Sequence, residues 1–322
     1  LVMESFMYFL IVKIFMEFMV PDGFLNRYLP LVDDKDAFLK SILTPLKRSF
    51  RINPLKADRT LVKNRIESYG INIKQTLWYE DAYFCENPEI GYTLENFMGH
   101  IYIQELASML PPLAALKELK KAEFVLDGCA APGSKTTQIG AFMQNKGVIV
   151  ANDINYERVA ALNCNLEKLG VTNSYLTCGD FRFFPKGEYD VVFVDAPCSA
   201  DGTTRKKPQI LNNWKEDNTY RYVDLQYQLI KRGFELIKDG GTLIYSTCSM
   251  SPAENEQVVD WLLKKYPNAV LEPINIPNLK ISPGITKWND KIYDKRVSEV
   301  ARIWPHSNDT DGFFICKLKK ME

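Results

Sequence analysis

The usual signs of a metal site are missing from this sequence of 322 residues. Only two histidines occur, His100 and His306, and they lie far apart. The seven cysteines form no CxxC pair, and the histidines form no HxxxH pair. Because zinc sites depend on such closely spaced ligands, the sequence predicts a protein without a bound metal.

An excess of charge of either sign is also missing. The 40 lysine and arginine residues equal the 40 aspartate and glutamate residues, which gives a net charge of zero. No overall positive field therefore attracts nucleic acid, and any contact with RNA must come from a local patch. The hydrophobic fraction of 46% and the charged fraction of 25% are typical of a soluble globular protein.

Long apolar segments and a disulfide framework are lacking as well. The apolar run Phe6–Val12 is too short to span a bilayer, and no cleavage site of small residues follows it. We interpret residues 1–19 as an upstream extension from a misplaced start codon, with Met19 as the true start, or as an amphipathic helix. The odd number of cysteines favours free thiols in a reducing compartment, so we predict a cytoplasmic protein without membrane contact.

From residue 124 onward, apolar strands and helices alternate regularly along the chain. The predicted strands are 124–128, 148–153, 175–180, 190–197 and 242–248. Helical segments lie between them, for example from Asn155 to Leu169, where Gly170 ends the helix. Continuous apolar strands that alternate with helices indicate a parallel sheet covered on both faces. We therefore predict an α/β fold whose ligands bind at the carboxyl ends of the strands.

The first hundred residues have a different character. The predicted elements are short helices over 20–46, a strand over 49–55, a helix over 58–68 and extended segments after it. They indicate a small βαβ-like unit, which we assign as an N-terminal α/β domain of residues 20–98. Residues 99–322 are assigned as a catalytic domain, which begins with a predicted long helix over 100–116.

Basic residues of the N-terminal domain are interleaved with aromatic residues. They are Lys47, Arg48, Arg51, Lys56, Arg59, Lys63, Arg65 and Lys74, with Trp78, Tyr79 and Tyr83 nearby. This composition suits single-stranded RNA, which proteins hold through phosphate contacts and base stacking. The alternative is a solvated helix face beside ordinary core aromatics, and the sequence leaves both interpretations open.

The connection between the first predicted strand and its helix, GCAAPG over residues 128–133, consists of small residues. It has the glycine spacing of a phosphate-binding P-loop. However, Ser134 separates Gly133 from Lys135 and turns the ammonium about 100° around the helix. The glycine fingerprint of dinucleotide-binding proteins is absent. The turn therefore suits a ligand that lies against backbone amides, or packing alone.

Acidic residues end four of the predicted strands, namely Asp127, Asp153, Asp180 and Asp195. Asp153 lies twenty residues after Gly133, at the position where a carboxylate accepts hydrogen bonds from ribose hydroxyls. Asp180 is placed to reach the edge of an adenine ring. A ribose-binding carboxylate without a phosphate fingerprint predicts S-adenosylmethionine, which contains adenosine but no phosphate.

Two cysteines, Cys198 and Cys248, follow neighbouring strand ends. Cytosine C5 becomes nucleophilic once a thiolate has added to C6, and the C5 proton must later be removed so that the thiol leaves. Cys248 as nucleophile, Asp195 as the group that holds N3, and Cys198 as base would supply this chemistry. Little of a free thiol is ionised at neutral pH, so Lys135 is expected to favour the thiolate. Four other cysteines are interpreted as small buried hydrophobes: Cys85, Cys164, Cys178 and Cys316.

Five segments together resemble the RNA cytosine-5 methyltransferases of the NOL1/NOP2/Sun family. They are GHIYIQELASMLPP, LDGCAAPGSKT, DAPCSADGT, YSTCSMSPAENE and RIWPHSNDTDGFF, in the family's order between residues 99 and 315. DAPCS followed fifty residues later by STCS is highly specific, because DNA cytosine methyltransferases carry only the earlier cysteine. The resemblance implies a Rossmann-like, S-adenosylmethionine-dependent methyltransferase fold, and it makes the P-loop likeness accidental.

The resemblance also implies roles for single residues. It assigns Cys248 as the nucleophile and Cys198 to product release, beside the catalytic Asp195 and Lys135. The residues implied to bind S-adenosylmethionine are Cys129, Ala130, Ala131, Pro132, Gly133, Ser134, Lys135, Asp153, Arg158, Asp180 and Asp195. Two positions depart from the family. Ser134 replaces a glycine, and Ala200 stands where the family often has the first glycine of Gly-x-Gly, which predicts a stiffer loop.

The loop TTRKKPQILNNWKED is expected to offset the cost of moving the target base out of its stack. Its residues Arg205, Lys206 and Lys207 are predicted to contact RNA phosphates. Trp214 in the same loop is expected either to stack on a base or to pack. His306, in the last of the five segments, is expected to be structural.

The sequence therefore predicts an RNA (cytosine-C5)-methyltransferase that uses S-adenosylmethionine. We favour tRNA over ribosomal RNA, because a short chain without large extra RNA-binding domains resembles the compact archaeal-type tRNA enzymes. No metal, membrane or protein partner is implied. The alternatives are ribosomal RNA as substrate, an RNA-binding protein that has lost catalysis, and a P-loop NTPase.

Overall fold

The computed structural model describes residues 20–322, so the interpretation of residues 1–19 lies outside the described residues. The helices are α1 (Asp22–Tyr28), α2 (Lys35–Leu43), α3 (Arg59–Ser68), α4 (Leu94–Phe97), α5 (Leu110–Ala114), α6 (Leu116–Leu119), α7 (Ser134–Met143), α8 (Tyr156–Leu169), α9 (Gln209–Asn212), α10 (Asp217–Tyr220), α11 (Val223–Leu236), α12 (Glu256–Lys265) and α13 (Pro305–Asn308). Short 3₁₀ helices are Leu29–Leu31, Pro88–Tyr92, Ala107–Met109, Phe181–Phe183, Asp201–Thr203 and Lys295–Glu299. The strands are β1 (Arg48–Ile52), β2 (Ile73–Gln75), β3 (Ala82–Cys85), β4 (Ile101–Ile103), β5 (Phe124–Asp127), β6 (Val148–Asp153), β7 (Ser174–Cys178), β8 (Tyr189–Asp195), β9 (Ile237–Thr247), β10 (Ala269–Leu271), β11 (Lys287–Trp288), β12 (Lys291–Ile292), β13 (Ala301–Ile303) and β14 (Phe313–Lys320).

The larger sheet is built on five parallel strands in the order β7-β6-β5-β8-β9. Antiparallel strand β14 pairs with β9, and β10 and β13 both pair with β14. The predicted α/β sheet is confirmed, although its antiparallel edge was not predicted. The strand order reverses between β5 and β8, so a crevice for ligands is expected at the carboxyl ends of these two strands.

Helices cover both faces of this sheet because its central strands are apolar on both sides. Along β8, Val192 and Val194 point into one apolar cluster, which includes residues of α11 and α12. Val191 and Phe193 point into the opposite cluster, which includes residues of α7 and α8. The period of two along the strand therefore divides one apolar run between two cores.

The predicted boundaries of α3 and α8 are confirmed by their caps. Asp58 accepts a hydrogen bond from the Leu61 amide at 3.0 Å at the start of α3. Asn155 accepts one from the Arg158 amide at 2.9 Å at the start of α8. Gly170 ends α8 with a φ of +70°, a conformation that disfavours residues with a side chain.

The N-terminal unit is an antiparallel sheet in the order β2-β3-β1-β4, with α3 packed against it. The βαβ-like prediction is therefore wrong, because β1 pairs antiparallel with both of its neighbours. A βαβ connection would require the strands before and after the helix to be parallel. The apolar residues Val62 and Ile66 of α3 cover the sheet residues Phe50 and Ile52.

The long helix predicted over 100–116 is also wrong. Ile101–Ile103 forms β4, which pairs with β1, and the following residues form a 3₁₀ turn and the short helices α5 and α6. β4 thus belongs to the four-stranded sheet although it follows the boundary assigned after residue 98. That boundary stays a prediction. Within residues 20–322, the helices are all too short or too polar to cross a bilayer.

Candidate active site

Cys198 and Cys248 lie side by side beyond the carboxyl ends of β8 and β9. Their sulfur atoms are 3.2 Å apart, within hydrogen-bond distance, and both thiols are free. The parallel pairing of the two strands places Asp195 opposite Ser246, so the loops that carry the cysteines start next to each other. Two residues fifty positions apart in sequence are thereby in contact.

The two thiols differ in their surroundings. The hydrogen bond with Cys248 raises the pKa of Cys198, and burial and the nearby Glu254 carboxylate raise it further. Cys198 therefore holds its proton as a neutral thiol. A sulfur with a raised pKa binds a proton strongly once it is deprotonated, which suits proton abstraction better than nucleophilic attack at neutral pH.

Lys135 of α7 supplies a buried positive charge to the same site. Its Nζ lies 2.6 Å from Asp195 Oδ2 and 3.2 Å from Ser108 Oγ. Burial lowers the pKa of Lys135, but Asp195 together with Asp127 and Cys248 outweighs burial and leaves that pKa above its usual value. Cys248 is among the neighbours that raise the Lys135 pKa, so the ammonium is within electrostatic reach of this thiol. Ser246 Oγ donates to the other Asp195 oxygen at 2.7 Å.

The glycines of the small-residue turn have a structural explanation. Gly133 has a φ of +105°, and a Cβ atom there would lie 2.8 Å from Leu162. A Cβ atom at Gly128 would lie 2.6 Å from the ring of Phe181. Conformation and close packing therefore require both glycines, whether or not a ligand lies against the turn.

Asp153 and Arg158 hold this turn in place. Asp153 Oδ2 accepts from the Ala131 amide at 3.2 Å, and Oδ1 accepts from the Asn155 amide at 3.1 Å. Arg158 donates to the Ala131 carbonyl, and its Nη1 lies 3.5 Å from Asp153 Oδ2. Arg158 thus supports the turn from outside, whereas each Asp153 oxygen retains a lone pair for a hydroxyl donor.

Asp180 does not end a strand as predicted, because β7 stops two residues earlier. It caps the next 3₁₀ helix and forms an ion pair with Arg182 at 2.5 Å, and the hydrogen bonds from Arg182 lower the pKa of Asp180. Sequence reasoning missed Asn152. Its Nδ2 donates to the carbonyls of Gly128 at 3.1 Å and Gly179 at 2.9 Å, and so ties three strand ends together.

The residues at this edge fit an adenosine. Ile154 and Phe183 are 65% and 79% exposed, which leaves flat apolar surface beside the carboxylates of Asp153 and Asp180. An adenine ring would cover such surface, and carboxylates accept hydrogen bonds from ribose hydroxyls. Asp127 Oδ1 is buried and has no hydrogen-bond partner among the described residues, so one polar atom of the edge is still unsatisfied.

Glu254 completes the site and was not predicted. It is fully buried, lies just before α12, and its carboxylate bonds with Ser199 and Ser249. Burial raises its pKa to about 7. Glutamate is ordinarily exposed, so nothing in the local pattern indicates that this one reaches the two serines that follow the cysteines.

The loop that follows Cys198 differs from its prediction at Arg205. This side chain is buried, pairs with Asp309 at 2.7 Å and donates to the carbonyls of Thr44 and Thr310. It is therefore not available for phosphates, because its donors bind the protein. Lys206 and Lys207 are exposed. Of the two alternatives for Trp214, the structure shows packing, in an apolar cluster with α1 and α2.

Five further residues outside the site bear on the predictions. His306 Nε2 lies 2.8 Å from Asp33 and its ring packs on Phe38, which agrees with a structural role. Cys85 and Cys316 are buried as expected. The same expectation is wrong for Cys164 and Cys178, which are exposed, because exposed helix and sheet-edge positions also accept cysteine.

Ala200 and Gly202 shape the loop between the two cysteines. Ala200 has a φ of +59°, a conformation that costs a residue with a side chain about 1 kcal/mol relative to glycine. A Cβ atom at Gly202 would lie 2.6 Å from the Cys248 carbonyl oxygen. The loop is thus held closely against the Cys248 segment, with strain at Ala200.

Several basic and aromatic residues of the N-terminal unit are not available to RNA. Arg51, Tyr79 and Tyr83 are 0%, 6% and 2% exposed, so the alternative of ordinary core residues holds for them. Arg48 and Lys74 are exposed. Among residues 20–322, no cluster of three or more histidine, cysteine, aspartate or glutamate side chains could hold a metal.

The fold and the site define a class, namely the Rossmann-like methyltransferases that depend on S-adenosylmethionine. A solved methyltransferase homologue from Pyrococcus horikoshii is 33% identical and superimposes with a TM-score of 0.79 over 90% of this chain and 91% of that chain. The family model of the 16S rRNA methyltransferase RsmB/F matches residues 114–319, and that of the RsmF N-terminal domain matches residues 20–106. The chain belongs to the RsmB/F methyltransferase family, so the family resemblance is confirmed.

Named relatives act on two kinds of RNA. A ribosomal RNA small subunit methyltransferase F from Shewanella piezotolerans is 40% identical over 88% of this chain. A tRNA (cytosine(49)-C(5))-methyltransferase from Pyrococcus abyssi is 37% identical over 92% of this chain and 94% of its own length. The chain spans 60% of the length of the Shewanella protein.

Proposed function

We propose that the protein is an S-adenosylmethionine-dependent RNA (cytosine-C5)-methyltransferase. The observation that carries the proposal is the contact between Cys198 and Cys248 at 3.2 Å, beside the ion pair of Lys135 and Asp195. Named relatives that methylate ribosomal RNA and tRNA support RNA as the substrate. We propose tRNA first and ribosomal RNA second.

When bound, S-adenosylmethionine supplies the electrophilic methyl group that C5 of the substrate accepts. We propose that the turn of residues 129–135 lies against it, with Asp153, Asp180 and Asp195 around it. Arg158 contributes indirectly, since it holds Asp153 and the turn. Asp153 is the proposed partner of the ribose hydroxyls, because its carboxylate is held at the end of β6 with acceptor capacity left.

The chemistry on cytosine begins at Cys248. Its thiolate forms a bond with C6, and the electrons of the C5–C6 double bond move so that C5 becomes nucleophilic. Lys135 places its positive charge within electrostatic reach of this sulfur. Asp195 holds the N3 edge of the ring, and it is itself oriented by Lys135 and Ser246.

Release of the product requires Cys198. Cys198 first gives its own proton to water. The resulting thiolate takes the C5 proton, the electrons of that C–H bond restore the C5–C6 double bond, and the bond between C6 and Cys248 breaks. The sulfur of Cys248 recovers its electron pair. Contact between the two sulfur atoms suits this step, because C5 and C6 are adjacent atoms of the ring.

We propose that RNA is held by exposed cations of the N-terminal unit and of the loop that follows Cys198. They are Arg48, Arg65, Lys74, Lys206 and Lys207. A groove between the four-stranded sheet and the Asn308–Asp309 turn is lined by Lys47 and Lys74, and it borders the loop of Arg205. Residues 20–98 are thus the proposed RNA-binding domain and residues 99–322 the proposed catalytic domain.

The test is a denaturing gel of Cys198→Ala after incubation with S-adenosylmethionine and either total tRNA or ribosomal RNA. A slowly migrating protein–RNA adduct is expected, because Cys248 attacks but is not released. The double variant Cys198→Ala, Cys248→Ala should form none. Cys164→Ala, which removes an exposed thiol on α8, is the matched control and should turn over like the wild-type protein.

The outcomes separate the alternatives. An adduct with ribosomal RNA alone would keep the chemistry and correct the substrate. No adduct with either RNA would contradict the proposed roles of the cysteines and favour an RNA-binding protein without catalysis.

A further inference from the structure

One buried carboxylate bridges the two residues that follow the cysteines. Ser199 Oγ and Ser249 Oγ donate to the same oxygen of Glu254, Oε2, at 2.5 Å and 2.6 Å. The Ser199 amide donates to the other oxygen, Oε1, at 2.9 Å. The two hydroxyl oxygens are themselves only 3.2 Å apart. Glu254 therefore connects the Cys198 loop to the Cys248 loop directly.

Glu254 is itself held from two sides. Gln226 of α11, which is fully buried, donates from Nε2 to Glu254 Oε1 at 3.1 Å and to the Pro197 carbonyl at 2.9 Å. The Tyr245 hydroxyl of β9 donates to the backbone carbonyl of Glu254 at 2.8 Å. The position of the carboxylate is therefore set by two elements of the larger sheet and its helices.

The charged groups near Glu254 are acidic. Asp201 accepts from Ser249 Oγ at 3.0 Å and from the Met250 amide at 2.7 Å, and Tyr28 donates its hydroxyl to Asp201. Among residues 20–322, no lysine, arginine or histidine forms an ion pair with Glu254. An acidic side chain without a cation is costly to bury, so a gain other than charge pairing is required to retain it.

The backbone alone does not hold the cysteine loops together. Strand pairing ends with Asp195 and Ser246, and one more hydrogen bond joins the Ala196 amide to the Ser246 carbonyl at 2.9 Å. The next backbone contact is the Gly202 amide on the Cys248 carbonyl at 3.0 Å. Between these points side chains join the two loops: Glu254 bridges Ser199 and Ser249, and Asp201 accepts hydrogen bonds from Ser249 and Met250.

We infer that Glu254 is a positioning residue, which keeps the thiols of Cys198 and Cys248 in contact by tying their loops together. The effect of this positioning on catalysis rests on the proposed function, in which Cys198 acts on the ring atom next to the one that is bonded to Cys248. A misplacement of about 1 Å between reacting groups costs on the order of 100-fold in rate. The positioning itself can be measured without RNA.

The first test closes a disulfide between the two thiols with diamide, which takes up the two hydrogen atoms that the thiols lose. Mass spectrometry of the linked peptides follows the rate in the wild-type protein, Glu254→Gln and Glu254→Ala. We expect closure to slow by about tenfold or more in both variants, because the sulfur atoms no longer remain in contact. Loss of the negative charge of Glu254 lowers the pKa of Cys198, which alone would speed closure, so slower closure reports geometry.

Asp260→Asn is the matched control. Asp260 is a buried carboxylate on α12, and it contacts Lys264 and the Asp294 amide rather than the cysteine loops. The Asp260→Asn variant should form the Cys198–Cys248 disulfide at the wild-type rate. If a Glu254 variant does not fold, Ser249→Ala replaces it, since it removes one of the two bridging hydroxyls. Closure at the wild-type rate in a folded variant would overturn the inference.

The second test uses RNA and both cysteines. Glu254→Gln should form the covalent adduct but release it slowly, so that the adduct accumulates as it does in Cys198→Ala. Slow closure without an adduct in Cys198→Ala would refute the proposed function and leave the positioning role intact. An adduct in Cys198→Ala, with normal closure and turnover in Glu254→Gln, would refute the positioning role alone.

Discussion

The carboxyl edge of the larger sheet and the four-stranded N-terminal sheet use polar residues in opposite ways. At the edge, Lys135, Asp195 and the two cysteines are turned toward one another in a single site. In the N-terminal sheet, Arg51 points into the interior, while Arg59 at the start of the adjoining helix α3 pairs with acidic neighbours at the surface. Polar residues that the sequence marks as functional are thus gathered in one region and dispersed in the other.

The difference follows from the two kinds of sheet. Parallel strands joined by helices all end at the same edge, so residues that follow different strands meet there regardless of their distance in sequence. In an antiparallel sheet, neighbouring residues on a strand point to opposite faces. In β1, however, both faces are covered from Ser49 to Ile52, so Arg51 is buried, whereas Arg48 is exposed because it lies at the start of the strand. The position of a residue along its strand therefore predicts which residues it meets in the parallel sheet, but not in the antiparallel N-terminal sheet.

Arg51 also shows that the two regions are joined. Its Nη2 donates to Thr137 Oγ1 of α7 at 2.6 Å, and its Nε donates to Gln104 Oε1 at 2.9 Å. Gln104 in turn donates to the carbonyl of Ser108, whose hydroxyl meets the Lys135 ammonium. A residue that composition assigns to RNA is instead part of the support beneath the proposed catalytic lysine.

The largest expected effect comes from the edge itself. Lys135→Met removes the buried charge, leaves Asp195 without its cation and takes the positive neighbour from Cys248. We expect single-turnover methyl transfer to fall by about 100- to 1,000-fold, the usual cost of removing one preorganised charged group. Lys146→Met, an exposed change just after α7, should be unaffected. If Lys135→Met kept more than a tenth of wild-type activity, the polar residues at the carboxyl edge would not form a single functional site.

The pair Arg51 and Arg48 tests the N-terminal sheet. Arg51→Ala should lower the free energy of unfolding by about 2–4 kcal/mol, because it opens a cavity and leaves Gln104 Oε1 without its donor. Arg48→Ala, three residues earlier on the same strand, should change it by less than about 0.5 kcal/mol. Denaturant unfolding measures both. Equal effects would contradict the difference in burial between the start and the middle of β1.

The pH dependence of stability tests the buried acid at the end of β5. Burial raises the pKa of Asp127 to about 7, whereas in the unfolded chain the carboxyl ionises near pH 4. Between these values the unfolded state binds fewer protons, so this group lowers stability as the pH rises. Between pH 5 and pH 8, the free energy of unfolding should therefore decline by about 2 kcal/mol less in Asp127→Asn than in the wild-type protein. Asp36→Asn, an exposed change on α2, is the control and should leave the decline unaltered.

The smallest expected effect concerns RNA affinity. Lys74→Ala removes an exposed cation of the groove and should weaken RNA binding by about threefold at moderate salt, with the slope of log affinity against log salt reduced by about 1. Filter binding at several salt concentrations measures it. Lys121→Ala lies at the amino end of β5, on the opposite edge of the sheet, and should have no effect. An unchanged slope in Lys74→Ala would remove the groove from the proposed RNA path.

Prediction from sequence was most accurate where a residue's role depends on its place along a strand. The five parallel strands and the caps Asp58, Asn155 and Gly170 could be predicted, because apolar runs and capping residues act locally. It failed for β4, since a short strand between loops has no helical period and pairs with a partner fifty residues away. It also failed for Arg205, whose partners lie in two distant segments.

The class of fold, the family and the residue types of the site could be inferred from the amino-acid sequence, because strand ends and motif segments are local sequence patterns. Tertiary structure alone decided which of these residues touch. The 3.2 Å contact of Cys198 and Cys248 and the bridge through Glu254 each join segments about fifty residues apart. Such contacts arise from strand order and from the packing of α11 and α12, which bring distant side chains into one buried volume where each polar atom must find a partner.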